Sequence, residues 1–357
     1  MARSCRGQLF SFSPSWHQSG NRRPRIAGLG SQKLTARNQF TMYPPKLVRL
    51  NSRKSRALPL RQLGLVYLLF TAAISGSIPD ILGLHAASMA HSAESPYYTV
   101  QPDVVYGHKD GMALTLDVFQ PTTQAKGIGI LFMVSGGWVS AWAPPDRTVQ
   151  FFRPLIDKGF TVFAVRHGSS PKYTIPEIAV DVRSALKHVY EHAADFQVDR
   201  ARLGVFGFSA GGHLSLLLGT RPDANRPNGE QASIPHVSAV VAVFPPTDLA
   251  PYVDPDNPLR EQFPALKFEP KRAADYSPLA QVSSDDPPTL LVHGDKDELV
   301  PLWHSEKLAA ALADAKVPRE LLVIRGAGHG FDAAGNERMM SSMAKWFETH
   351  LEPAPKK

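Results

Sequence analysis

From residue 97 onward the chain repeats one pattern: a short apolar run, a turn, then a longer stretch with apolar residues at helical spacing. Tyr97–Tyr106 and Met112–Phe119 alternate apolar and polar around Lys109-Asp110-Gly111, which predicts a hairpin. Gly127–Val134, Phe160–Val165, Val198–Phe208, Val237–Phe244 and Thr289–Val292 are rich in apolar residues, as strands buried on both faces require, and a further strand is expected at 320–325. Helices are predicted over 146–158 (ending at Gly159), 174–192, 213–218, 303–314 and 335–349. The second shows the logic: Thr174-Ile-Pro-Glu177 is a capping box, and Ile178, Val182, Leu186 and Val189 share one face.

Strands alternating with helices after an initial hairpin predict an α/β fold, with a mostly parallel central sheet and helices on both faces. Ligands of such sheets bind at the carboxyl ends of the strands. Residues 246–283 break the rhythm with seven prolines and many charges. They are expected to form a short cap or lid over the site rather than a second domain.

Charge changes the picture only near the N-terminus. Residues 1–90 hold 13 of the 39 basic residues and one of the 32 acids, Asp80, so the remaining chain is mildly acidic. That argues against a nucleic-acid partner despite the overall charge of +7. Cys5 is the sole cysteine, which leaves the body without a disulfide, a thiolate nucleophile or a cysteine metal site.

Leu63–Ile74 is an uncharged, mostly apolar run preceded by Arg49, Arg53, Lys54, Arg56 and Arg61. It is short for a membrane span, which needs about 20 residues, but suits the apolar core of a secretory signal. Residues 1–92 are therefore expected to be a removable leader, with cleavage after Ser88-Met89-Ala90 and Met42 as an alternative start. Export to a periplasmic or extracellular space follows, with membrane contact only through an uncleaved leader. The catalytic domain is expected over 93–357.

The candidate chemistry centres on residues 201–219. An apolar run ends in Gly207-Phe208-Ser209-Ala210-Gly211, and a helical pattern follows. This is G-x-S-x-G in the strand–turn–helix setting that makes the serine a nucleophile. A turn that sharp strains the backbone, and side chains two residues to either side would collide with it, hence Gly207 and Gly211. A serine hydroxyl needs a base, and the base an orienting acid. Two downstream loops, each directly after a strand, offer them: Val292-His-Gly-Asp-Lys-Asp-Glu-Leu-Val-Pro301 and Gly326-Ala-Gly-His-Gly-Phe331. The order Ser209…Asp297…His329 is the one this arrangement calls for. Spacing alone leaves Asp295 and Asp297 as rival acids.

Donors for an oxyanion are expected from the Ala210 N–H and from Gly136 and Gly137 after the first parallel strand. Trp138 and His167 are candidate walls of the substrate pocket, whereas His213 and His293 read as structural. No helical His, Asp or Glu spacing argues for a metal, and no cofactor is expected.

These stretches resemble the α/β-hydrolase superfamily over residues 97–351. The similarity is greatest to carboxylesterases grouped with feruloyl and acetyl esterases, hormone-sensitive-lipase-like enzymes and kynurenine formamidases. It rests on Val198–Leu214, Ser277-Pro-Leu279, Pro287–Pro301 and Gly328-His-Gly-Phe331. The resemblance implies Ser209 as nucleophile, Asp297 rather than Asp295 as acid, His329 as base, and Gly136, Gly137 and Ala210 at the oxyanion positions. One departure stands out: Val134-Ser-Gly-Gly-Trp138 lacks the histidine that usually opens this loop. The expected activity is that of a serine esterase on a small to medium ester. The alternatives are amide, formamide or peptide hydrolysis with the same residues, or a non-catalytic binding protein.

Overall fold

Asp110 and Gly111 both sit at positive φ, 49° and 79°, and close a two-residue turn in which Lys109 pairs with Met112. Asp-Gly suits such a turn because its twist matches that of the flanking strands. The hairpin joins β1 (Tyr98–Lys109) to β2 (Met112–Pro121) at one edge of an eight-stranded sheet. The computed structural model describes residues 97–220 and 235–352. The expected leader, 1–92 with its apolar run at 63–74, lies outside them.

The remaining strands are β3 (Ile128–Met133), β4 (Phe160–Val165), β5 (Leu203–Phe208), β6 (Ala239–Val243), β7 (Thr289–Gly294) and β8 (Arg319–Ile324). Their spatial order is β1-β2-β4-β3-β5-β6-β7-β8. β2 runs antiparallel to β1 and β4, and every other pairing is parallel. The helices are α1 (Pro145–Ile156), α2 (Ile175–Glu191), α3 (Ala210–Thr220), the single turn α4 (Leu259–Gln262), α5 (Trp303–Asp314) and α6 (Ala333–Leu351). Among the described residues no helix is long and apolar enough to cross a membrane.

The period-2 alternation of buried strands divides the core. Leu131 and Met133 of β3 pack with residues of α2, α3 and α5, while Ile128, Ile130 and Phe132 pack with α1 and α6. On the second face the Phe132 ring lies 4.8 Å from Phe206 and 5.4 Å from Phe152. Truncating a buried phenylalanine of this kind costs about 3–5 kcal/mol.

Two of the boundaries that differ from the sequence pattern bear on the site. β5 begins at Leu203 rather than Val198, because Asp199 bends the chain: its carboxylate accepts the Ala201 N–H (2.9 Å) and its carbonyl the Arg202 N–H (2.8 Å). α3 begins at Ala210, three residues earlier than expected, so that the turn after β5 feeds directly into the helix. Residues 246–283 contain α4 and three short 3₁₀ turns between β6 and β7. They are tied down where Ser277 Oγ accepts the Leu249 N–H and Tyr276 O accepts from buried His213.

Candidate active site

Ser209 occupies the left-handed region, φ 52°, at the carboxyl end of β5. A β-carbon on Gly207 would lie 2.4 Å from the Gly211 backbone, and one on Gly211 would lie 2.6 Å from the Met133 carbonyl. The turn closes this tightly only because both flanking positions are glycine. Its backbone is locked by two bonds, Ser209 N–H to Val243 O (2.9 Å) and Gly211 N–H to Ser135 O (3.2 Å).

Gly294 brings the two downstream loops together. A β-carbon there would lie 2.3 Å from Ala327 O, so β7 and β8 can release their loops side by side. Asp295 staples these loops from the solvent side, its carboxylate accepting the Gly326 N–H at 2.6 Å. Asp297 turns inward, and its side chain is inaccessible to solvent. One of its oxygens accepts the backbone N–H groups of Leu299 (3.0 Å) and Val300 (2.9 Å). The other lies 2.7 Å from His329 Nδ1, and His329 Nε2 lies 2.9 Å from Ser209 Oγ. A carboxylate only accepts, so Nδ1 carries the proton and Nε2 offers its lone pair to the Ser209 hydroxyl.

Burial opposes ionisation of Asp297. Hydrogen bonding from His293 and His329, with the Val300 N–H behind them, outweighs it and holds the carboxyl well below the usual carboxylate range. The structure thus joins Ser209, His329 and Asp297, and separates Asp297 from its neighbour Asp295 by direction.

The oxyanion loop differs in detail from expectation. Gly136 N–H donates to Val139 O and Val139 N–H to Gly136 O, both at 3.0 Å, with Gly137 (φ 57°) and Trp138 (φ 61°) between them. This is a two-residue reverse turn with both central residues left-handed. The amide of Gly136 is consumed by the turn, so the expectation that it serves an oxyanion is corrected. The Gly137 N–H has no acceptor among the described residues. Ala210 is the first residue of α3, where an N–H has no intrahelical acceptor. Gly137 and Ala210 are therefore the available donors.

Trp138 and His167, the expected pocket walls, are each only 5% exposed. Trp138 is drawn inward because its indole N–H donates to His213 Nδ1 (3.2 Å), while His213 Nε2–H donates to Tyr276 O (2.8 Å). Burial pushes His213 down to about 4. His167 closes on itself, Nδ1–H to the Gly168 carbonyl at 2.8 Å, and burial likewise pushes it down to about 4.

The groups beside the reactive atoms are aromatic rings that the sequence pattern did not single out. Phe244, directly after β6, has its ring centroid 4.5 Å from that of His329 and 5.4 Å from that of Phe331. Phe263, in the 246–283 segment, lies against Gly137, 3.1 Å from where a β-carbon would stand. The signal for Phe244 was its place at the carboxyl end of a strand; nothing local marks Phe263. Among the described residues no cluster of three or more His, Cys, Asp or Glu could hold a metal ion.

Comparison with known proteins follows the same outline. The probable carboxylic ester hydrolase LipM of Mycobacterium tuberculosis is 30% identical over 258 residues, 68% of this chain and 58% of that protein. Esterase LipC of the same organism is 30% identical over 264 residues, covering 68% and 62%. The chain therefore spans about three-fifths of the length of these relatives. A truncated carbohydrate esterase from gut microbiota superposes with a TM-score of 0.58 at 27% identity, over 71% of this chain and 98% of that one. The fold is that of the α/β-hydrolases. A family model described as BD-FAE matches residues 116–312, over half of the sequence, and with the site lying at the strand ends that this match spans or adjoins, the chain belongs to the BD-FAE family.

Proposed function

We propose that this chain is a serine carboxylesterase acting on small to medium esters through an acyl-enzyme. The observation that carries the reading is the unbroken line from Asp297 through His329 to Ser209, with contacts of 2.7 and 2.9 Å. The names borne by LipM and LipC support ester hydrolysis as the reaction class.

In this mechanism His329 Nε2 takes the hydroxyl proton as Ser209 Oγ bonds to the ester carbonyl carbon. The carbonyl oxygen becomes an oxyanion, received by the N–H groups of Gly137 and Ala210. Asp297 holds the Nδ1–H tautomer and stabilises the imidazolium. The bond from carbon to the alcohol oxygen breaks, and the departing oxygen takes the proton from Nε2. Water then repeats the sequence: it gives a proton to His329, adds to the acyl carbon, and Ser209 leaves with that proton as the acid is released. Phe244, itself packed against Phe331, keeps the imidazole's surroundings apolar, which strengthens each of these interactions.

The test is hydrolysis of p-nitrophenyl esters of graded chain length beside N-formylkynurenine and a peptide amide, with Ser209→Ala as control. Ester turnover abolished by Ser209→Ala is expected. Turnover of the amides in preference to every ester would replace this reading with amide hydrolysis, and no turnover at all would refute it.

We further propose export through residues 1–90, resting on the basic segment and the apolar run at Leu63–Ile74 alone.

A further inference from the structure

A second imidazole lies behind the triad acid. His293, the fifth residue of β7, is fully buried, and its Nε2 is 2.7 Å from Val300 O and 3.4 Å from Asp297 Oδ2. Both of those oxygens only accept, so Nε2 carries the proton. Its Nδ1 is 2.7 Å from the Oγ of Ser305, also fully buried near the start of α5, and there the hydroxyl donates. Both nitrogens are thus satisfied, and the Nε2–H is directed at the loop that carries the acid.

Two bonds link that loop to the imidazole. Asp297 Oδ1 accepts the Val300 N–H, and the Val300 carbonyl accepts from His293, whose N–H also faces Asp297 Oδ2. Oδ2 is the oxygen that accepts from His329. Packing alone does not call for an imidazole here, since a buried polar ring costs free energy that an apolar side chain would avoid.

We propose that His293, with its tautomer set by Ser305, is a positioning residue that fixes the Asp297 carboxylate in the rotamer aimed at His329. The inference rests on the Ser209–His329–Asp297 reading. Without the His293 N–H, the Val300 carbonyl loses its donor, the turn that presents the Leu299 and Val300 N–H groups to Oδ1 loosens, and the carboxylate can rotate about its Cβ–Cγ bond. Misplacement then passes through His329 to the attacking hydroxyl.

The experiment measures kcat and KM on one short-chain p-nitrophenyl ester for His293→Leu, His293→Gln and Ser305→Ala, each alone and combined with Asp297→Asn, with thermal unfolding as a check on folding. His293→Leu is expected to lower kcat roughly ten- to hundredfold with KM within about threefold. His293→Gln, whose amide can replace the Nε2–H, should recover most of the loss, and Ser305→Ala should show a smaller one. In the Asp297→Asn background the additional loss from His293→Leu should shrink to about twofold or less, because the two residues act as one unit. An unchanged kcat in His293→Leu, or the same fold-loss in both backgrounds, would overturn the proposal. Should His293→Leu not fold, Ser305→Ala carries the same comparison. Wild-type kcat in Asp297→Asn would overturn the triad reading and this inference together, which tells the two failures apart.

Discussion

Ser209 Oγ and His329 Nε2 lie 2.9 Å apart although 120 residues separate them along the chain. The contact needs β5 and β8 to end on the same side of the sheet, and it needs Ser209 in a backbone conformation that favours glycine. A nucleophile held this way stores strain at the site of its chemistry.

That strain is measurable. Ser209→Gly and Ser209→Ala should both abolish ester hydrolysis, with kcat falling by about 10⁶, and neither should react with a fluorophosphonate probe. Chemical denaturation should show Ser209→Gly more stable than Ser209→Ala by about 1 kcal/mol, since glycine accepts φ near 52° and alanine does not. Equal stabilities, or labelling that persists in Ser209→Ala, would contradict the assignment.

The two carboxylates of one loop have separate roles. Asp297→Asn should preserve the fold but favour the wrong imidazole tautomer, lowering kcat by up to roughly 10⁴. Asp295→Asn weakens the staple to Gly326 and should cost on the order of 1 kcal/mol of stability with little change in kcat. Steady-state kinetics and thermal melts of the two variants decide the matter; the reverse pattern would make Asp295 the acid.

Buried histidines make stability fall in acid. Burial holds His167 and His213 at about 4 in the folded protein, below the ordinary 6.5. Unfolding therefore takes up protons: the contribution of these two residues to stability is constant above pH 6.5 and is lost as pH falls from 6.5 towards 4, on the order of 3 kcal/mol for each. Denaturation midpoints should be level from pH 7.5 to 6.5 and decline steadily from there to 4.5. His213→Gln, compared over the same range, should show a shallower decline, and an unchanged slope would rule out His213 as a contributor.

Export makes its own prediction. Mass spectrometry of protein recovered outside the cytosol should find an N-terminus near His91. A mature chain that retains Arg53, or one confined to the cytosol, would refute it.

Local pattern by itself determined the alternation of buried strands and amphipathic helices, because a period of 2 or 3.6 is written in consecutive residues. It also determined the glycine frame of Ser209, since the collision between positions 207 and 211 arises within one turn. The order Ser209…Asp297…His329 was likewise legible, because parallel strands deliver their loops to one edge of the sheet. Tertiary structure decided what depends on direction. Asp295 and Asp297 are two residues apart in sequence, and their partners on the neighbouring loop, the Gly326 N–H and the His329 ring, draw one outward and the other inward. Gly136 and Gly137 are adjacent and identical, yet the return of Val139 engages one amide and leaves the other available. Trp138 is buried because His213, on a different helix, offers its indole an acceptor. The partners that orient Asp297 and bury Trp138 lie far away in sequence, so no local window contains them.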